Sequence, residues 1–266
     1  MSEYLMIVIL GIVQGITEFL PISSDGHLEI AKYILGDKSS GMDSLELTVL
    51  LHIATTLSIC YVFREKIVSI IRGLMMRDAS SWRLAMLVVI SMVPAAIVGL
   101  FFEEEVSSLF EGRIMLVAFC LFVNGLVLFV GNKALVTNQP INEWRSLLMG
   151  IAQMFAILPG ISRSGSTISV AALSNVNRYE AAEFSFIMVL PLIFGKIGKD
   201  ILNGGFAHLQ YSSGALLAGF AAAFVVGIFA FRLLLRMVAG IRLHIFAYYC
   251  MTAGILIALY GFWRGL

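Results

Sequence analysis

Charge is what this sequence has least of. Lysine, arginine, aspartate and glutamate together make up 13% of its 266 residues, against 59% hydrophobic residues, and mean hydropathy is +0.93. Soluble domains carry roughly a quarter charged residues, so a water-soluble domain is excluded and the bilayer is the expected surrounding. The formal net charge is only +1. With no basic run and no interleaving of aromatic and basic residues, nucleic acid is not an expected partner. Cysteine is scarce too. Cys60, Cys120 and Cys250 lie far apart in apolar stretches, which excludes a metal-ligand spacing or disulfide framework and leaves them as small buried side chains. No cleavable leader is expected, because the first apolar run is preceded by Glu3 and by no lysine or arginine.

What the sequence does have is long apolar segments. Six of them, at 45–63, 83–102, 114–131, 181–202, 213–235 and 243–263, reach the ~20 residues a helix needs to cross a bilayer. Two others are interrupted. Residues 4–35 are broken by 21-PISSDG-26, and residues 147–174 by 159-PGISRSG-165. Each break leaves pieces too short to span. Its freed backbone groups are tolerable only when buried in protein or lining a wet cavity, so both segments are expected to be re-entrant helical hairpins. Arg64, Lys66, Arg72, Arg77 and Arg83 in a 64–83 loop, with Lys133 and Arg145 further on, place those connections in the cytoplasm. The acidic stretch 103-EEEVSSLFEGR-113 then lies outside, as a solvated loop. Lys196 and Lys199, near an outer end, run against this polarity and are read as snorkelling.

The two broken segments resemble each other. Comparing 11-GIVQGITEFLPISSDGH-27 with 150-GIAQMFAILPGISRSGS-166, the pairs Gly11/Gly150, Gln14/Gln153, Ser23/Ser162 and Gly26/Gly165 all stand 139 residues apart. Each segment is followed by three spans, an odd number, so the second copy must be upside down. The expectation is an all-α polytopic membrane protein with six transmembrane helices plus two re-entrant helical hairpins. They form a single domain over 1–266, built from repeat one at 1–131 and inverted repeat two at 145–266. In such folds the broken helices meet near the midplane.

The breaks hold the polar residues. Gln14 and Glu18, four apart, share one helix face. A carboxylate in a membrane marks a functional site by default. Ser23, Ser24 and His27 follow it, and a serine needs a neighbouring base to act as nucleophile. The second break adds Arg163 amid Ser162, Ser164, Ser166 and Thr167 at the start of a half-helix. A guanidinium fork at a helix N-terminus suits phosphate, and Gly160 and Gly165 allow close approach of the backbone. His52 and His244 sit singly in spans and are read as structural. Glu46 and Glu183 orient the site or cap their helices.

These residues carry a resemblance. QGITEFLPISSDGH and LPGISRSGST are similar to the signature of the undecaprenyl-diphosphate phosphatases, membrane enzymes tied to bacitracin resistance. Asp25 departs from the pattern, where a small hydroxyl residue is expected. The resemblance implies hydrolysis of undecaprenyl diphosphate to undecaprenyl phosphate, recycling the lipid carrier of peptidoglycan synthesis. It implies a bacterial plasma (inner) membrane location, a site opening to the outer or periplasmic side, and a divalent cation, Mg or Ca. The expected substrate is a polyprenyl diphosphate lipid, and a homodimer is compatible with this reading. On it Glu18, Ser24, His27 and Arg163 are catalytic, with Gln14 and Glu18 on the metal. Ser23, Ser162, Arg163, Ser164, Gly165 and Thr167 bind the diphosphate. Two routes stay open: attack by Ser24, with His27 taking its proton or protonating the leaving oxygen, or attack by a metal-bound water, with His27 as base and Ser24 only positioning. The competing class is a prenyl-phosphate transporter or flippase, since inverted repeats with broken helices also build transporters.

Overall fold

The computed structural model describes residues 2–36, 42–102, 105–106, 109, 113–134, 138–202, 211–239 and 243–264. Among them run eleven helices and no strand, with one isolated parallel bridge between Gln139 and Val176. The helices are α1 (Glu3–Thr17), α2 (Ser24–Leu35), α3 (Met42–Val62), α4 (Arg64–Met75), α5 (Ala79–Phe101), α6 (Ile114–Asn132), α7 (Glu143–Phe155), α8 (Arg163–Leu173), α9 (Arg178–Leu202), α10 (Ser213–Ala239) and α11 (Leu243–Arg264). Most of the acidic stretch 103–113 lies outside the described residues.

Local chemistry accounts for the boundaries. Ser2, Asp78, Asn142 and Ser162 each accept a backbone N–H from the first turn of the helix they precede, satisfying donors that have no intrahelical partner. Asp78 lies on the exposed surface, where the hydroxyl of Ser80 and then the amide and hydroxyl of Ser81 pull its carboxyl down to about 2. Gly36 closes α2 in the left-handed conformation at φ 69°.

Both interrupted segments are broken, but earlier than their prolines. α1 stops at Thr17 and α7 at Phe155, each four residues before a proline, Pro21 and Pro159. A proline ring collides with the carbonyl four residues back and offers no N–H to it, so the helix ends there. The non-helical stretches are therefore 18–23 and 156–162, and Arg163 is the first residue of α8, at the start of a half-helix as expected.

Among the described residues five helices are long and apolar enough to cross a membrane: Ala79–Phe101, Ile114–Asn132, Arg178–Lys199, Ser213–Met237 and Leu243–Arg264. A sixth candidate is the pair Glu46–Val62 and Arg64–Met75, bent by 76°. The expected 64–83 loop is thus largely the helix α4. It buries no residue: Val68, Ile71 and Met75, at positions i, i+3 and i+7, form an exposed apolar stripe on a short helix that also carries Arg64, Lys66 and Arg72.

Packing is crosswise. α1 lies along α10 and α7 along α5, while α6 and α11 pair extensively. At the first contact a Cβ on Gly11 would run into the Gly219 carbonyl oxygen, and at the second a Cβ on Gly150 would run into that of Ser91. Side-chain-free positions bring helix backbones together where no hydrophobic drive exists between lipid-solvated surfaces. α2 and α8 both reach α6. Beneath them a core of Phe19, Phe186 and Phe231 is fully buried, with ring centroids 5.0 Å apart for Phe19–Phe231 and 4.6 Å for Phe186–Phe231.

Candidate active site

The two non-helical stretches touch. The Gly160 amide donates to Ser23 Oγ at 3.1 Å, and Ser164 Oγ donates to the Phe19 carbonyl at 3.2 Å. Asn124 of α6 clamps both: its Nδ2 donates to the Pro21 carbonyl at 3.1 Å and its Oδ1 accepts from the Ser162 amide at 3.0 Å. Ser23 is held at φ 69°, a conformation that costs a non-glycine residue energy and persists only where neighbours impose it. Here the neighbours are Gly160 and His27, whose Nδ1 lies 2.7 Å from the Ser23 carbonyl.

Glu18 is the hub of the junction. Its Oε1 accepts from Arg163 Nη2 at 2.9 Å, and its Oε2 accepts from Ser24 Oγ at 2.7 Å and Gln14 Nε2 at 3.0 Å. His52 Nε2 stands 3.3 Å from the same Oε2 and 3.4 Å from Asp25 Oδ1. Phe19, next in sequence, anchors this carboxylate in the aromatic core. Arg163 lies over the Phe186 ring at 5.1 Å, a contact that suits a desolvated guanidinium. Its Nη1 is buried without a hydrogen-bond partner. A fork with one prong paired and one prong spare is ready for a further anionic oxygen.

Around Arg163, Ser162 Oγ accepts from the Gly165 amide at 3.1 Å and lies 3.2 Å from Ser164 Oγ. Thr167 Oγ1 lies 2.6 Å from Ser185 Oγ and donates to the Arg163 carbonyl at 2.8 Å. Ser162, Ser164, Gly165 and Thr167 are therefore buried and occupied within α8 and its cap.

His27 stands apart from the Glu18 cluster. Its Nδ1 faces a carbonyl, which can only accept, so the hydrogen sits on Nδ1. Its Nε2 lies 2.7 Å from Tyr249 Oη, and the two rings stack at 5.7 Å. The hydrogen-bond partner of Ser24 is Glu18.

A family model described as "Bacitracin resistance protein BacA" matches residues 7–256. The chain belongs to the BacA family. Among its curated relatives, the undecaprenyl-diphosphatase of Christiangramia forsetii is 43% identical over 256 residues, covering 96% of this chain and 97% of the relative. Those of Methanobrevibacter smithii and Halothermothrix orenii are 35% and 37% identical, with 96% of this chain and 96% and 97% of the relatives covered.

In this BacA-family chain the junction gathers Gln14, Glu18, Ser23, Ser24, Asp25, Ser162, Arg163 and Ser164. It also holds His52, which the sequence reading took as structural, and Asn124, which it passed over; Tyr249, passed over too, stands beside it with His27. His52 and Asn124 did carry a signal, since each is a polar residue inside an apolar span, the criterion that singled out Glu18. Tyr249 carried none.

Proposed function

We propose that this chain hydrolyses undecaprenyl diphosphate to undecaprenyl phosphate and inorganic phosphate inside the membrane; its relatives bear the name undecaprenyl-diphosphatase. The observation that supports it most is one carboxylate, Glu18, paired through one oxygen with a buried arginine and through the other with a serine hydroxyl. That is a nucleophile, a proton acceptor and an anion grip within one desolvated cluster.

In the reaction so read, the diphosphate engages the spare prong of Arg163 at the N-terminus of α8. Ser24 Oγ attacks the terminal phosphorus while its proton passes to Glu18 Oε2. The anhydride P–O bond breaks, undecaprenyl phosphate departs with that oxygen, and water then displaces phosphate from Ser24. Glu18 takes the base role expected of His27, whose ring is engaged by Ser23 and Tyr249 and which sets the hairpin tip. Attack by water directly, with Ser24 only positioning, remains the alternative route that phosphoserine trapping separates.

The residues fit the implied Mg or Ca ion. Gln14 Oε1 is buried without a hydrogen-bond partner beside Glu18, and carboxylate and amide oxygens suit hard cations. Gln14 and Glu18 would hold the ion, which when bound would offset charge on the phosphate oxygens. Among the described residues no group of three or more His, Cys, Asp or Glu side chains is arranged to hold a metal alone. Such an ion would thus be completed by substrate oxygens, as is usual for Mg.

On the same reading α1–α2 and α7–α8 are re-entrant hairpins among six spans, and α4 lies in the cytoplasmic interface. The crosswise contacts α1–α10 and α7–α5 are those an inverted repeat requires, and they support that arrangement. The site then opens to the outer face of a bacterial inner membrane. The deciding assay is phosphate release from undecaprenyl diphosphate by purified protein in detergent, with Mg or Ca. Release without a bilayer or gradient is the expected result, and a transporter gives none. No release with either cation overturns the proposal.

A further inference from the structure

The substrate so read is one long lipid, and its tail must leave the junction by some route. Several flanks of the junction are closed. Asn124 joins the two tips from α6, and Phe19 seats the first of them in the aromatic core. The face of α2 that meets α3 is filled as well. There Leu28 packs with Leu47 and Leu51, and Lys32 Nζ donates to Thr48 Oγ1 at 2.8 Å.

The other face of α2 is different. Among the described residues the backbones of α2 and α11 make no extended approach, although α2 packs on α1 and α11 on α6. Two ring pairs bridge the gap. At one end His27 stacks on Tyr249 at 5.7 Å, and at the other Tyr33 meets Tyr260 edge-on at 6.4 Å. Between these bars each helix presents an apolar stripe. Ile30 and Ile34 follow His27 at i+3 and i+7, and Ala253 and Leu256 follow Tyr249 at i+4 and i+7. Ile34 and Leu256 are exposed, while Ile30 and Ala253 are half-buried. The seam is therefore apolar and open to the bilayer. Its inner end is continuous with the site, because His27 stands one turn from Ser24 on α2. Its far end is polar, with Tyr260 Oη accepting from Arg264 Nε at 3.2 Å, as befits the headgroup level of a membrane.

We propose that this seam is the tail port of the site: the polyprenyl chain of the bound diphosphate passes over Tyr249 and between α2 and α11, against Ile30, Ile34, Ala253 and Leu256, into the bilayer. The inference rests on the phosphatase reading and locates the lipid half of its substrate. Chain and surrounding lipid are equally apolar, so no hydrophobic drive favours the seam over the bilayer. It acts by shape: two bars a few turns apart fix where the chain emerges, and with it the phosphate end at Ser24.

Two measurements on full-length protein in detergent test it. In the first, undecaprenyl phosphate carrying a diazirine on an isoprene unit near the phosphate is photolysed with the protein, and the adducts are mapped by mass spectrometry. Adducts are expected within 30–34 of α2 and 253–260 of α11. No adducts, or adducts confined to α3, to α10 or to the separate groove of Met115, Phe119, Phe122 and Ile255, overturn the inference. In the second, Ile34→Cys and Leu256→Cys are alkylated with a bulky maleimide, with Leu233→Cys, exposed on α10, as the control. Alkylation at 34 or 256 is expected to raise KM for undecaprenyl diphosphate about tenfold with kcat within about twofold, the signature of lost ground-state binding. The alkylated control should match its unmodified form. A fall in kcat at constant KM, as damage to the hairpin gives, overturns the inference, and so does no effect, as an idle surface gives. Were the wild type to release no phosphate, the phosphatase reading would fall while the adduct map still showed where the lipid tail lies.

Discussion

Arg163 and Glu18 form an ion pair at 2.9 Å with only 14% and 8% of their side chains exposed, so either one is costly to leave alone. Glu18→Gln keeps the shape and removes the counter-charge, and breaking a buried pair costs about 3 kcal/mol or more. The expected outcome is a lower melting temperature in detergent together with loss of turnover; an unchanged melting temperature would mean that the pair contributes little to folding. Arg163→Lys keeps the charge but replaces a planar fork by a point donor. One prong holds Glu18 and the other is spare, and a compact ammonium cannot reproduce the two spread, coplanar donor positions of that fork. A fall in kcat/KM of about a hundredfold is expected, the scale of losing a buried charge-assisted contact, and near-wild-type turnover would remove the phosphate role. Ser24→Ala discriminates the two routes of attack. If Ser24 is the nucleophile, kcat falls by about a thousandfold or more, and acid-quenched wild type carries phosphate on Ser24 by mass spectrometry. Retention of most activity without an adduct would instead favour direct attack by water.

The two helix breaks were visible in the sequence because prolines and clustered polar residues are local signals. Their positions were less so. The breaks were read at the prolines, whereas the steric clash acts four residues upstream, which is why the preceding helices end at Thr17 and Phe155 and Glu18 lies in the break. What joined the two tips could not be read locally, because it comes from a third element. Asn124 reaches Pro21 and Ser162 across 103 and 38 residues of chain, separations that no spacing pattern encodes. Asn124→Ala strips both tips of a buried partner, at about 1–3 kcal/mol for each group left unpaired. Reduced thermal stability should therefore accompany reduced kcat, with Asn124→Asp retaining one of the two contacts and part of the activity. Gly160 is a sharper probe of the same junction. At φ 105°, with any Cβ 2.6 Å from the Val117 carbonyl oxygen and 2.7 Å from Cys120 Cβ, alanine there is both strained and crowded. It should displace the Gly160 amide from Ser23 and lower kcat more than it lowers the melting temperature.

Over the whole molecule, hydropathy located five spans closely and located the sixth only up to its bend. A window average cannot tell a loop from an amphipathic helix that turns aside, and α4 is the latter. Two of the glycines paired in the sequence have a use in the fold: Gly11 and Gly150 sit at the α1–α10 and α7–α5 contacts, where helix backbones approach closely. Polarity in the membrane is the remaining whole-molecule claim, and it has a direct test. α5 runs from Ala79 to Phe101 as a crossing candidate, so Ser80 and Arg113, both exposed, belong on opposite sides. The native cysteines interfere little, Cys120 and Cys250 being buried and Cys60 half-buried. With a membrane-impermeant maleimide on intact spheroplasts, Arg113→Cys is expected to label at once and Ser80→Cys only after permeabilisation. The opposite pattern would turn the molecule over. The first hairpin would then enter from the cytoplasm, and the Ser24–Glu18–Arg163 junction would be served with diphosphate from inside the cell.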